Sequence, residues 1–201
     1  MKKNLNKFII FGVFLFFVLG CGAISKIKQG LDDAQKPQVV TSTDGKCQVT
    51  VPGGWQKQTN LNNEASLQAA NLIGELYVIV LPESKAGIDQ SVDLDFATEA
   101  VRESLTQTIP GAVFSPPVST TINGLPARQF EVSAEVDKLK VTYLYAVVDA
   151  PQTFYQVITW TLTPRLETNR GKLLEVINSF KETGGSDAPP PPVAKTPAKL
   201  K

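Results

Sequence analysis

Leu76-Tyr77-Val78-Ile79-Val80-Leu81 carries no polar side chain at any position. Successive side chains of a strand point to opposite faces, so a strand of this composition is apolar on both sides and needs a cover over each. The same two-sided apolarity recurs around Tyr143-Leu144-Tyr145 and at Phe154-Tyr155. These segments read as central strands, and the rest of the body must supply two covering layers.

Two segments have the periodicity to do so. Over 91–108, Leu94, Ala97, Val101 and Leu105 recur every three or four residues while Asp93, Asp95, Glu99 and Arg102 point elsewhere, the pattern of an amphipathic helix. Leu166, Leu173, Leu174, Ile177 and Phe180 mark a second helix, ending near Lys181 ahead of Gly184-Gly185. Around them lie further strands. Cys47, Val49 and Val51 alternate with Gln48 and Thr50 after the turn Asp44-Gly45, and a short strand is expected over 67–70. Asn123-Gly124 is a strong hairpin signal, joining a strand over 118–122 to one in which Phe130, Val132, Ala134 and Val136 face the core and Gln129, Glu131, Ser133 and Glu135 face water. Strands over 141–148 and 154–162 follow. The order predicts an α+β domain over 44–182: an α/β/α sandwich whose antiparallel sheet of about six or seven strands has helices on both faces. With 201 residues in all, one such domain is the natural count, and a body of that length sustains a real core.

The N-terminus has a different character. Lys2, Lys3 and Lys7 precede an apolar run over 8–19, followed by Gly20 and Cys21. That run is shorter than the ~20 residues a spanning helix needs, while a basic start, a short apolar stretch and a small residue before a cut form the export pattern. Residues 1–20 therefore read as a signal peptide. Val18-Leu19-Gly20-Cys21 resembles the bacterial lipobox, which implies that Cys21 is diacylated on sulfur and becomes the new N-terminus. Two acyl chains hold a protein on a membrane where one is marginal, so Cys21 is the expected anchor and lipidation site. Residues 21–43 read as the lipidated N-terminus and a flexible tether, with Gly30 and Pro37 interrupting any helix. Ser25-x-x-Lys28 matches a serine-nucleophile motif but lies beside the expected lipid and lacks the companion motifs.

Removing the leader leaves seventeen basic and nineteen acidic groups, a net charge of −2. The span 44–182 is acidic, whereas 183–201 sets Lys195, Lys199 and Lys201 against Asp187. With Pro189 to Pro192 and Pro197, that tail is expected to be disordered and extended, a solubilising spacer or a contact to an anionic surface. The overall balance argues against nucleic acid as a partner, since such a protein carries a basic excess.

The chain has no histidine. Imidazole bases, Ser/His and Cys/His pairs and His-ligated metals are therefore excluded, and no catalytic residue, metal site or cofactor is expected. Asp89, Asp93 and Asp95 satisfy free amides at a helix start; as a cation site they fit no calcium-loop spacing. Cys47 is the only thiol left once Cys21 is acylated, and its phase with Val49 and Val51 points it inward, against the alternative of a redox or disulfide role. Trp55 reads as a lid over the core edge or a ligand platform. Glu131 and Glu135 read as a solvated face.

From Asp44 to Phe180 the chain resembles the PsbP-like proteins, the PsbP/DcrB superfamily. The residues that carry the resemblance are Asp44-Gly45 before a strand closing in Val51-Pro52-x-Gly54-Trp55, then Ile122-Asn123-Gly124-Leu125-Pro126-Ala127, Phe154-Tyr155, and Ile177-Asn178-Ser179-Phe180. The resemblance implies an α/β/α sandwich without catalytic residues. It suggests a non-enzymatic, membrane-tethered protein-binding or assembly module facing the periplasm, the cell exterior or the thylakoid lumen, with photosystem II accessory work as one option. The alternatives are an envelope lipoprotein carrying a small or lipidic ligand between Trp55, Trp160 and a helix, and an enzyme working with carboxylates alone.

Overall fold

The computed structural model describes residues 36–89 and 91–184. The expected leader 1–20, Cys21, the segment 22–35 and the stretch 185–201 lie outside the described residues. The elements are β1 (Gln38–Thr41), β2 (Cys47–Val51), β3 (Gln56–Lys57), β4 (Leu67–Asn71), β5 (Leu76–Ser84), α1 (Leu94–Thr108), β6 (Val113–Phe114) and β7 (Val118–Ile122). They continue with β8 (Leu125–Val136), β9 (Leu139–Asp149), β10 (Thr153–Leu162), a 3-10 turn at Thr163–Arg165, α2 (Leu166–Asn178) and β11 (Lys181–Glu182).

The main sheet has eight strands in the order β3-β4-β5-β10-β9-β8-β6, with β7 also paired to β8. Every pair in it is antiparallel. Two-sided burial of the central strands is observed. On one face Val78, Val80, Leu144, Ala146, Val148, Tyr155 and Val157 join Leu173, Val176 and Ile177 of α2 in one cluster. On the other, Ile79, Phe130, Val132, Tyr145, Val147 and Ile158 join Leu94, with Ala97, Val101 and Leu105 of α1 half-buried beside them. The α/β/α architecture follows from this division, because neither helix reaches both clusters.

Three features depart from expectation. First, β1, β2 and β11 form a separate three-stranded sheet, and Cys47, Val49 and Val51 bury their side chains in the α2-side cluster. The face under α2 is thus covered by a helix and a small sheet together. The strand count exceeds six or seven because β3 and β6 are two-residue strands, too short to show a period. Second, the tether expected through 43 is corrected. Gln38–Thr41 is a strand paired with β2 from Gln38↔Val51 to Thr41↔Gln48, so Asp44-Gly45 is the turn of a hairpin and not the start of the body. Asp44 closes that turn by accepting from Ser42 Oγ (2.7 Å) and the Lys46 amide (3.1 Å). Third, α2 stops at Asn178. Ser179 Oγ accepts from the Thr50 amide (2.8 Å) and donates back to the Val176 carbonyl (2.7 Å), which turns the chain onto β2. Phe180 then packs on Tyr155 with ring centroids 5.0 Å apart, Lys181–Glu182 extend the small sheet, and Thr183 donates its amide to the Lys46 carbonyl (2.8 Å), so the body runs through the first residue assigned to the tail.

Candidate functional site

A helix is ~10–12 Å across and strands lie ~4.8 Å apart, so one helix roofs only about two or three strands. Helix α1 packs over β8 and β9. The same face of β5 and β10 is left without a helix, and the space there is a cleft of about 750 Å³.

Its floor is set by register. Ile79 lies beside Ile158, which lies beside Tyr145, and Tyr77 beside Trp160, which lies beside Tyr143. The second row is aromatic throughout: Trp160 and Tyr143 line the cleft with their rings tilted at 5.9 Å, and Tyr77, outside the lining, stacks on Trp160 at 5.0 Å. One wall is the α1 stripe of Ala97, Val101 and Leu105, half-buried because it overhangs the cleft. Leu61, Asn62 and Glu64 form the opposite wall. Gln68 builds that wall. Buried on β4, its Oε1 accepts the Leu61 and Asn62 amides (2.8 and 3.0 Å) and its Nε2 donates to the Asn62 carbonyl (2.7 Å). Glu83, Ile88 and Phe154 close one end.

The chemistry of the lining is one-sided. Among the described residues Glu64 and Glu83 are its only charged members, and no described lysine or arginine lines it. The nearby cations are engaged elsewhere: Lys85 pairs with Asp149, donates to the Ala150 carbonyl (2.7 Å) and stands 4.2 Å from the Phe154 ring centre, and Arg128 pairs with Asp95 at 2.6 Å. Burial pushes the Tyr143 and Tyr145 phenols up, with Tyr143 adding to the shift at Tyr145, so both are neutral donors at physiological pH. The cleft can shield an apolar body and hydrogen-bond a polar head.

The residues weighed from sequence fall in several places. Cys21 lies outside the described residues. Trp55 is 2 % exposed in the α2-side cluster, whereas Trp160 lines the cleft on the opposite face. A pocket between Trp55, Trp160 and a helix is therefore corrected, because the sheet separates the two indoles. Cys47 is fully buried beside Ser66 (3.9 Å), and burial raises its thiol, which accounts for an unreactive core residue. Asp93 caps α1 by accepting the Phe96 amide (2.8 Å), and Asp89 accepts the Ser91 amide (2.8 Å). No group of three His, Cys, Asp or Glu side chains positioned for a metal occurs among the described residues. Glu131 is not simply solvated, since it pairs with Arg170 of α2. Sequence reading missed Gln68; its only signal was a polar residue among the apolar neighbours of a short strand expected over 67–70.

No family model and no curated protein matches the chain. Solved structures do. The solution structure of cyanobacterial PsbP (CyanoP) from Synechocystis sp. PCC 6803 matches with a TM-score of 0.57 at 15% identity, covering 74% of this chain and 93% of that one. The fold is PsbP-like. The crystal structure of LpqN, involved in cell envelope biogenesis of Mycobacterium tuberculosis, matches with a TM-score of 0.54 at 16% identity over 77% of this chain and 95% of that one. At these identities the likeness concerns the PsbP-like fold alone, and the cleft described above is a feature of this chain.

Proposed function

We propose that this chain is an exported, non-enzymatic lipoprotein, held on a membrane by diacylated Cys21, whose PsbP-like domain binds a membrane or exported protein as an assembly module. One observation carries the reading: the lipobox-like Val18-Leu19-Gly20-Cys21 closes a short apolar run and stands shortly ahead of a PsbP-like body. A role in the cell envelope, where LpqN takes part in biogenesis, and photosystem II accessory work at a thylakoid membrane are the two settings that fit. Mass spectrometry of the membrane fraction is expected to show a diacylated N-terminal Cys21, and Cys21→Ser should release the protein to the soluble fraction. Unmodified, freely diffusing material removes the anchor from the reading. Pull-down with the lipidated protein should recover either photosystem subunits or envelope components.

The cleft favours a second reading, carriage of a small or lipidic ligand. Its volume falls in the ~300–1,000 Å³ range of ligand sites, and its acidic, cation-free lining suits a neutral or amine-bearing amphiphile better than a fatty carboxylate. A brominated alkyl amine should quench Trp160 saturably while the matching carboxylate does not. Quenching that persists in Trp160→Phe would have to come from Trp55 and would count against the cleft.

A further inference from the structure

The chain starts and leaves the body at opposite ends. Gln38 donates its side-chain amide to the Trp55 carbonyl (2.7 Å), and Gly54, the neighbour of Trp55, is so close to β4 that a Cβ there would meet Asn71 Nδ2 at 3.2 Å. The start of β1 therefore lies at the Asn71 end of β4. The other end of β4 lies beside the β1–β2 turn, where the Thr43 amide donates to the Ser66 carbonyl (2.7 Å) and Thr183 is tied to Lys46 (2.8 Å).

The starting end bears an apolar tip. β4 and β5 are joined by Leu72-Ile73-Gly74-Glu75, and Asn71 Oδ1 accepts the Gly74 amide (2.8 Å), which closes the turn from within. Ile73 is 95% exposed and Leu72 59%. The β8–β9 hairpin exposes Leu139 and Val136 at the same end of the sheet, because Tyr77 pairs with Trp160, Leu162 with Val141 and Val136 with Leu139. Lys36, Lys138, Lys140 and Arg165 stand there against Glu75, Glu135 and Asp137, with Arg165 and Glu75 3.0 Å apart. Apolar contact with a slight basic excess is what this end offers.

We propose that this end docks on the bilayer, with Leu72 and Ile73 inserted at the boundary between headgroups and acyl chains of the membrane that holds Cys21. The choice of occupant rests on the anchor reading: Lys36 lies within ~50 Å of Cys21 along the backbone, a distance comparable to the body itself, and the leash joins at the tip's own end. The tip then adds an apolar contact to the acyl chains, a combination that converts a leash into a fixed orientation. Thr183 and the basic tail beyond it start from the end that faces away.

The test uses the full mature protein with Ile73→Cys, labelled with an environment-sensitive dye; Cys47 is buried and Cys21 acylated, so the new thiol is the reactive one. On vesicles of equal parts phosphatidylcholine and phosphatidylglycerol the dye should shift to the blue and become protected from an aqueous quencher. The same dye on Gln152→Cys, exposed in the β9–β10 turn at the opposite end, should stay in water. A dye at position 73 that remains aqueous overturns the docking even if mass spectrometry shows the acyl chains. Missing acyl chains overturn the anchor, and the dye still settles the docking. In unlabelled protein, Ile73→Asp should lower partition of the Cys21→Ser form onto these vesicles at least tenfold; an unchanged partition overturns the proposal.

Discussion

Thr159 sits at the centre of β10 between Val78 and Leu144, fully buried, and its hydroxyl has no hydrogen-bond partner. A buried polar group left unpaired costs about 1–3 kcal/mol, so Thr159→Val, nearly the same shape, should stabilise the protein by about 1 kcal/mol and raise Tm by about 2–4 °C; calorimetry checks this. Tyr155 has a different consequence. Burial, reinforced by the Glu182 carboxylate that accepts its hydroxyl (3.3 Å), pushes its phenol from an ordinary 10 up to about 12. A folded pKa above the unfolded one means that the stabilisation is complete below pH 10 and is lost as pH rises from 10 through 12. Urea midpoints should fall across that window, and Tyr155→Phe should make the fall shallower without removing it, since Tyr145 is raised as well.

Among the elements, the β7–β8 hairpin does more than its turn sequence implies. Asn123 and Gly124 both have positive φ (47 and 85°), as the mirror-image two-residue turn requires. The Asn123 side-chain Nδ2 also donates to the Phe180 carbonyl (2.6 Å) and the Asn178 carbonyl (3.3 Å), which ties the hairpin to the end of α2. Asn123→Gly keeps the backbone conformation and loses the tie, so it should cost about 1–2 kcal/mol, read as a lower denaturant midpoint with the sheet signal intact. The hairpin itself was legible in Asn123-Gly124. Its long-range bonds were not, because nothing local couples residue 123 to residue 180. The two helices show the same limit. Their periods were legible, yet α2 buries Leu173, Val176 and Ile177 completely while α1 leaves Val101 and Leu105 half-covered; periodicity marks an apolar stripe without stating how much of it finds a partner.

At the scale of the whole molecule, the small sheet joins the first and last described segments, with Cys47 paired to Glu182 and Val40 to Val49. A mature chain shortened to begin at Asp44 removes β1 and the buried Val40. It should lose at least ~2 kcal/mol, the order of one buried valine, measured by chemical denaturation, whereas a chain beginning at Lys36 should keep its stability. The same arrangement sets the polarity of the described body: β1 starts beside the Leu72–Ile73 tip, and Thr183 stands at the other end.

Composition and period were enough to indicate an α+β sandwich with two covered faces and an inward Cys47, because each rests on side chains a few residues apart. The second sheet, the wall held by Gln68, the separation of Trp55 from Trp160 and the cleft itself came only with the tertiary structure. A helix about two or three strands wide cannot roof an eight-stranded sheet, and which strands it leaves bare depends on where the chain places it, a matter of long-range packing that no local pattern records.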